Sequence, residues 1–503
     1  MGKKDGSITV PLCLALTALA VFILGLLEAV RYDGLSMDAK EWANLMAESL
    51  FAGYQPVLFD EYRMFLLDGG FGKGVCDIGR MQDEMEALAG DNFLPGEKNT
   101  GVNFYRMQTA GVEITNYRLV TDEQGKVFIM QAAKAMKGEI SLRAAEVIKE
   151  RIENTDKKSQ EGGNPEDFIA GANAALKGIA EEEGAKDAAQ AEGAVRGQSK
   201  EVPADSLLQE DAPQKNLLEI IKALRQQGIL TLVLPKGKTC SSKEISVDNC
   251  LLKRDCAKGS YKQGKNPGWY ERILMQEFMK PLVGNAVQPK ESGALSYGIE
   301  YIICGKGSDK ENLKGVAKKL VLMREGLNFL YLQQDGAKQA QALSAAAAIA
   351  GASVNPAVIH AVKEGILAAW AYMESICDVR ALLSGGKIPL IKDAACWQTQ
   401  LMNLENALAG EYKGETNGMS YENYLDALLY LKTAKHAAYR CMDLMEHSLR
   451  STKGYEACRM DTMLVGMKAK SEYHANTLFW GLLGTSGIGG YQFLEEVSYI
   501  YGE

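Results

Sequence analysis

Histidine is scarce in this chain of 503 residues: His360, His436, His447 and His474 are all there is, and no two stand at metal-ligand spacing. No Cys-x-x-Cys pair occurs among the ten cysteines, so the usual zinc frames are absent. Gly-x-Ser-x-Gly, His-Glu-x-x-His and a supported Ser-x-x-Lys are missing as well, which removes the common signatures of hydrolases and metalloproteases. Phe71-Gly-Lys-Gly74 lacks the Gly-Lys-Ser/Thr ending and the leading strand of a phosphate loop, and the run Gly484 to Gly490 has no βαβ unit after it; both read as turns. Lys and Arg never form a dense block, and the net charge is −8, so a nucleic-acid partner is not expected. Nothing favours an acid pair for glycoside hydrolysis. No catalytic residue, no cofactor and no metal site is therefore assigned, and the chain reads as a non-enzyme. Glu374, Asp378 and Arg380 on one helical stretch read as a structural polar cluster. His436 and Asp443, two turns apart on another, read as surface or core-satisfied groups.

Charge is also missing from Ser7 to Leu27, where only Ser7, Thr9 and Thr17 interrupt an apolar run. About 20 such residues in a helix cross the hydrocarbon core of a bilayer. Lys3 and Lys4 precede the run, which points to a cytoplasmic N-terminus, with the bulk of the chain outside. A cleaved signal peptide begins in the same way, but this run is longer than a signal core. Glu28 to Arg31 follow it in place of a small-x-small site, and Leu35, Trp42, Leu45, Met46 and Leu50 continue at helical spacing. The reading is an uncleaved or N-terminally trimmed anchor continuing as a helix to about Tyr54. Thr9, Thr17 and Gly25 are candidate packing positions within the membrane, and Glu28 and Arg31, three apart, are a candidate pair at its outer interface. Cys13 reads as an apolar residue of the span.

The pieces Lys4 to Val10, Glu28 to Arg31, Ala52 to Tyr54 and Glu61 to Asp68 resemble the start of Tad-type pilus proteins, a TadE/TadG-like segment. More closely the chain resembles the DUF5702 group of Firmicutes proteins, through Tyr297 to Lys306, Trp370 to Leu383 and Met419 to Leu425. The resemblance implies a single-pass membrane protein beside a Tad-like pilus or secretion apparatus. Its partners would be the membrane, other pilus subunits and further copies of itself. It also implies a candidate processing site at Gly6-Ser7. One departure stands out: pilin-like helices carry a glutamate near their start, and after processing at Gly6 that place falls to Pro11. A minor, initiating or scaffolding subunit fits better than a major filament subunit. The alternative is an anchored extracytoplasmic enzyme or ligand-binding protein acting at the cell wall.

The expected fold class is α+β, with antiparallel strands packed with several long helices beyond the anchor. The expected domains are 1–54 (stub, span and its helical extension), 55–153 (an α+β lobe), 154–215 (a linker or insertion poor in apolar residues) and 216–503 (a larger, helix-rich α+β lobe). Ile78 to Ala89 reads as a helix, Val112 to Val120 as a strand with a turn at Asp122 to Gly125, and Val127 to Glu153 as one long helix. Asn216 to Gln227 reads as helix, Ile229 to Leu234 and Leu295 to Cys304 as strands that could pair, and Tyr270 to Met279 as helix. Asp309 caps a helix running to about Leu332. Ala337 to Leu383 reads as helical, amphipathic from Val358, with a second span as the minor alternative. Tyr421 to Leu449 reads as one helix, Met463 to Glu472 as a late strand and Thr477 to Leu483 as an apolar tail. Cys240, Cys250 and Cys256 cluster in one polar loop, where a disulfide or a zinc site is open. Cys377 with Cys396 and Cys441 with Cys458 are the other candidate pairs, against free buried thiols.

Overall fold

The computed structural model describes residues 8–93, 105–161, 165, 167–175, 177, 224–225, 227–261, 266–350, 355–407, 410, 414–415, 417–479 and 489–501. Lys3, Lys4, Gly6, Ser7, most of the expected 154–215 linker or insertion, most of the expected helix Asn216 to Gln227 and most of the run Gly484 to Gly490 lie outside the described residues. The elements used below are α1 (Thr9–Ala52), β1 (Leu67–Asp68), α2 (Ile78–Phe93), β2 (Met107–Leu119), α3 (Asp122–Met136), α4 (Leu142–Glu161), α5 (Ile229–Val233), α6 (Trp269–Val283), α7 (Gly298–Cys304), α8 (Asp309–Gln334), α9 (Gly336–Ala350), α10 (Pro356–Leu383), α11 (Tyr421–Tyr430), α12 (Ala434–Ser451), β3 (Met463–Ala475) and β4 (Tyr491–Ile500). The fold is mixed helix and antiparallel sheet, as expected.

Two compact units form, and neither is contiguous in sequence. The first takes Met1–Ala135, Lys253–Pro267 and Met445–Glu503; the second takes Met136–Leu252 and Gly268–Leu444. The expected division at 154–215 into successive lobes therefore differs from the fold. The physical reason is visible inside the first unit. Arg254, in the inserted segment, gives both guanidinium nitrogens to Glu446 at 2.7 and 2.6 Å and also reaches Asp461 at 2.5 Å. Gly259 donates to Asp122 and Ser260 to the Tyr117 carbonyl. These contacts bind together stretches 137 to 207 residues apart.

The first unit is built on a four-stranded antiparallel sheet. Central β3 pairs β2 along one side, from Leu464 opposite Leu119 to Ala475 opposite Met107. Along its other side it pairs β4, from Gly466 opposite Ile500 to Ala475 opposite Tyr491, with β1 at its start. Alternation decides the faces: Met467, Ala469, Tyr473 and Ala475 enter the core, while Lys468 and His474 are exposed. Against the inward face lie Leu35, Ala39, Ala43, Met46, Ala47, Leu50 and Phe51 of α1, joined by Met81 and Met85 of α2. Their three-and-four spacing is the seam of an amphipathic helix. The turn at Asp122 is left-handed, with φ of +56° at Glu123, +61° at Gln124 and +82° at Gly125. β4, which joins Phe493 and Val497 to the core, was not expected.

The second unit is a helical assembly around α10, packed with α8, α9 and α5. Several expectations are corrected here. Ile229 to Leu234 is the helix α5, and Leu295 to Cys304 contains the helix α7, so neither is a strand. Every residue of α7 from Gly298 to Ile303 is buried, and a short apolar run buried on all sides carries no period that separates strand from helix. Val127 to Glu153 is two helices, α3 and α4, interrupted at Gly138, whose φ is +117°. Tyr421 to Leu449 is likewise two, broken at 431–433. Of the expected linker or loosely helical insertion from 154, the described part is helical and packed: α4 runs to Glu161, Thr155, Ile169 and Ala172 are buried, and the Phe168 ring lies 4.9 Å from that of Phe329. The cap of α8 is Ser308, whose hydroxyl accepts from the Glu311 amide, and Asp309 turns inward to accept from the Ser296 and Tyr297 amides. α10 is buried on every face from Gly365 to Leu383. It is a core helix, not an amphipathic one or a second span. Among the described residues only α1 is long and apolar enough to cross a membrane.

Candidate functional site

α1 has two halves of opposite character. Its 44 residues extend about 66 Å at the helical rise, roughly twice what a bilayer core needs. Ile8, Val10, Leu12, Leu14, Leu16, Leu19 and Phe22 are all more than half exposed, on every side of the helix. The most apolar window has none of its residues buried. Pro11 stands in the first turn, where no helical partner is lost. Thr17 turns its hydroxyl onto its own helix, donating to the Cys13 and Leu14 carbonyls at 3.0 and 2.9 Å. Gly25 is half-buried.

The junction between the halves is a polar collar. Glu28 is 1% exposed and Arg31 5%, and the expected pair forms, Arg31 Nη1 donating to Glu28 Oε1 at 2.8 Å. The Glu28 carboxylate also accepts the Leu478 and Phe479 amides, at 3.2 and 2.7 Å. Arg31 reaches across to the Tyr105 carbonyl at 2.5 Å. Gly34 makes this crossing fit: a Cβ there would lie 2.6 Å from the Tyr105 hydroxyl. Tyr32 meets Tyr491 and Phe493, ring to ring, at 5.1 and 5.4 Å. A buried charge needs its partner and its hydrogen bonds; here the two charges partner each other within α1, and the hydrogen bonds come from the backbone just before β2 (Tyr105) and just after β3 (Leu478 and Phe479). The foot of the apolar half is thereby tied to the backbone at the ends of β2 and β3. Sequence reading found Glu28 and Arg31 but missed Tyr105 and Phe479, whose contacts are backbone groups far along the chain.

The polar cluster expected at Glu374, Asp378 and Arg380 is larger and differently composed. Arg324 and Lys392 meet Glu374 and Asp378 in the second unit with all four side chains 0% exposed. Arg324 Nε donates to Asp378 at 2.9 Å, and its other nitrogens reach the Pro389 and Leu390 carbonyls, Tyr424 and Asn328. Lys392 lies 2.6 Å from Asp378 and bonds Glu374, which also accepts the Gln398 and Thr399 amides. Burial alone would raise the Asp378 carboxyl, but Lys392 and Arg324 hold it below its ordinary value. The Lys392 ammonium is raised by Asp378 and Glu374 against its burial. Arg380 is not a member; it donates to the Leu232 carbonyl. Two cations against two anions make a neutral, closed set that ties the 387–399 segment to α10. Such a set specifies a packing arrangement. Sequence reading missed Arg324, Asn328 and Lys392, which come to Asp378 and Glu374 from other segments through tertiary packing.

The remaining candidates do not assemble. His436 lies at the surface against Thr433, whereas Asp443 is buried and accepts from the Leu251 amide and the Tyr301 hydroxyl. None of the ten cysteines is in a disulfide, so none of the candidate pairings among Cys240, Cys250, Cys256, Cys377, Cys396, Cys441 and Cys458 is formed. Among the described residues no group of three His, Cys, Asp or Glu could hold a metal ion. Phe71 to Gly74 is a turn, with the Asp68 carboxylate accepting the Gly70 and Gly72 amides at 2.9 and 2.7 Å.

No curated protein and no solved structure shows significant similarity to the chain. The sequence profile of a family of unknown function, DUF5702, matches residues 208–475, more than half of the chain and most of the second unit together with β3. The chain therefore belongs to the DUF5702 family.

Proposed function

We propose that this is a non-enzymatic, single-pass membrane protein, its N-terminus cytoplasmic and its bulk outside, serving as a minor pseudopilin-like or assembly subunit of a Tad-like pilus or secretion system. The observation that carries the reading is the division of α1. One half is apolar on all sides and long enough for a bilayer; the other is seated on an antiparallel sheet, with Glu28 and Arg31 locked between them. A free anchor needs no such lock. A helix that must present its apolar half to neighbouring helices at a fixed angle does, because association in lipid depends on close packing. The closed quartet around Asp378 supports a structural role for the second unit, since all four charged groups are consumed by one another. Pro11 in place of an assembly glutamate favours a minor or initiating subunit.

The test is photocrosslinking in membranes from positions Leu19 and Phe22, both more than half exposed on the helix surface. The expected products are covalent adducts with other single-helix subunits of the same apparatus. Adducts with lipid alone would overturn the assembly role while leaving the anchor.

A further inference from the structure

A hollow of about 520 Å³ opens in the second unit between α5 and α8, bounded by Arg225, Lys314, Lys318, Leu322, Glu325 and Tyr372, with Ile229 and Val321 in its wall. That volume lies in the roughly 300–1,000 Å³ range of small-molecule sites. Its two sides differ chemically. Lys314 and Lys318 stand one turn apart on α8, so their Cβ atoms are about 5–6 Å apart, and both are exposed. Arg225 stacks over the Tyr372 ring at 4.4 Å and pairs with Glu325, whose side chain is 3% exposed. Among the described lining residues three cations stand against one carboxylate, an excess of two positive charges, in a protein whose net charge is −8. The other side is apolar, and Leu322 is 53% exposed within it.

We infer that this hollow binds an amphipathic organic anion, with a phosphate or carboxylate head between Lys314 and Lys318 and an apolar body over Leu322, Ile229 and Tyr372. The paired ammoniums supply charge-assisted donors to a head with several oxygens. The guanidinium–tyrosine stack, already held by Glu325, forms a rigid wall that costs little to order on binding. A bare anion would leave Leu322 in water, and an apolar neutral molecule would leave the two ammoniums without a counter-charge. Only a ligand with both features covers both surfaces. This site is independent of the role proposed for α1.

The test is calorimetric titration of the full chain, held in discs of neutral phosphatidylcholine, with naphthyl phosphate. Saturable one-to-one binding is expected, with no binding of naphthylmethylammonium. The Lys314→Ala/Lys318→Ala variant should bind roughly tenfold more weakly or worse, two charge-assisted contacts being lost. Because both lysines are exposed, this variant keeps the fold, which its far-UV spectrum checks. No saturable binding by the wild-type chain, or equal affinity in the double variant, overturns the site. Inorganic phosphate binding as tightly as naphthyl phosphate overturns the apolar half of the inference. Discs of phosphatidylglycerol that compete with naphthyl phosphate would identify a lipid headgroup as the source of the anion, and discs that do not would identify a free solute; both outcomes support the site.

Discussion

Replacing Lys392 by Met should be among the most damaging single changes in the second unit. Methionine keeps most of the aliphatic volume, so little cavity is created. What is lost is the charge. Lys392 lies 2.6 Å from Asp378 and bonds Glu374, and every member of the set is 0% exposed. Without it, Asp378 keeps Arg324 but Glu374 has no cation, so one buried negative charge stands uncompensated. Breaking a buried pair in this way costs about 3–5 kcal/mol. Urea unfolding of the full chain in micelles, followed by far-UV circular dichroism, measures it as a fall in the midpoint of the transition of the second unit. The mechanism also predicts a rescue. Lys392→Met combined with Glu374→Gln restores neutrality, so the double variant should be more stable than Lys392→Met alone. A loss below about 1 kcal/mol, the level of an exposed pair, or a double variant no better than the single, would refute the reasoning. The pH window follows from the same charges. The Asp378 carboxyl is depressed, so its contribution is present above the unfolded carboxylate value and is lost as pH falls through the lower folded one. The Lys392 ammonium is raised, so its contribution is present below the unfolded lysine value and lost as pH rises through the higher folded one.

Two further predictions concern other buried charges. Glu300 is fully buried, and burial raises its carboxyl to about 7, with the Tyr421 hydroxyl and the Ala286 amide pulling it back. Its contribution is therefore present below the unfolded glutamate value and lost as pH rises through about 7. Glu300→Gln should stabilise the chain relative to wild type at pH 8.5 by on the order of 2–3 kcal/mol more than at pH 5. Urea midpoints at the two pH values check it, and an equal difference at both would sink it. Arg31→Met leaves Glu28, 1% exposed, without its cation. The collar should loosen by about 2–4 kcal/mol, read as faster hydrogen exchange at the Leu478 and Phe479 amides, whereas unchanged protection would show that the collar does not depend on the pair.

How much of this was legible depends on the range over which each feature is decided. α1, the strand from Val112 and the start of β3 carry their own period, and each was read correctly from it. α5 and α7 were misread because Ile-Leu-Thr-Leu-Val and Ile-Glu-Tyr-Ile-Ile are short and apolar apart from Thr231 and Glu300, and burial by neighbouring helices, not local pattern, decides their conformation. The interleaving of the two units was invisible: Arg254 becomes informative only when Glu446 and Asp461 stand beside it. The polar cluster was half legible. Glu374 and Asp378 share a helix face, four residues apart, but Arg324 and Lys392 reach them through tertiary packing. The Glu28–Arg31 pair was legible because helical geometry alone brings residues three apart together. That it is buried, and joined to Tyr105 and Phe479, was not.

The central claim is that α1 stays in the protein and divides between bilayer and sheet. Intact mass and N-terminal sequence of the protein recovered from membrane and soluble fractions test it directly. The account predicts a membrane-bound species that retains Thr9 to Leu27, beginning either at Met1 or, after prepilin-type processing, at Ser7. A soluble species beginning near Val30 would contradict it, because the apolar half of α1 would then be a discarded signal peptide and no anchor would remain.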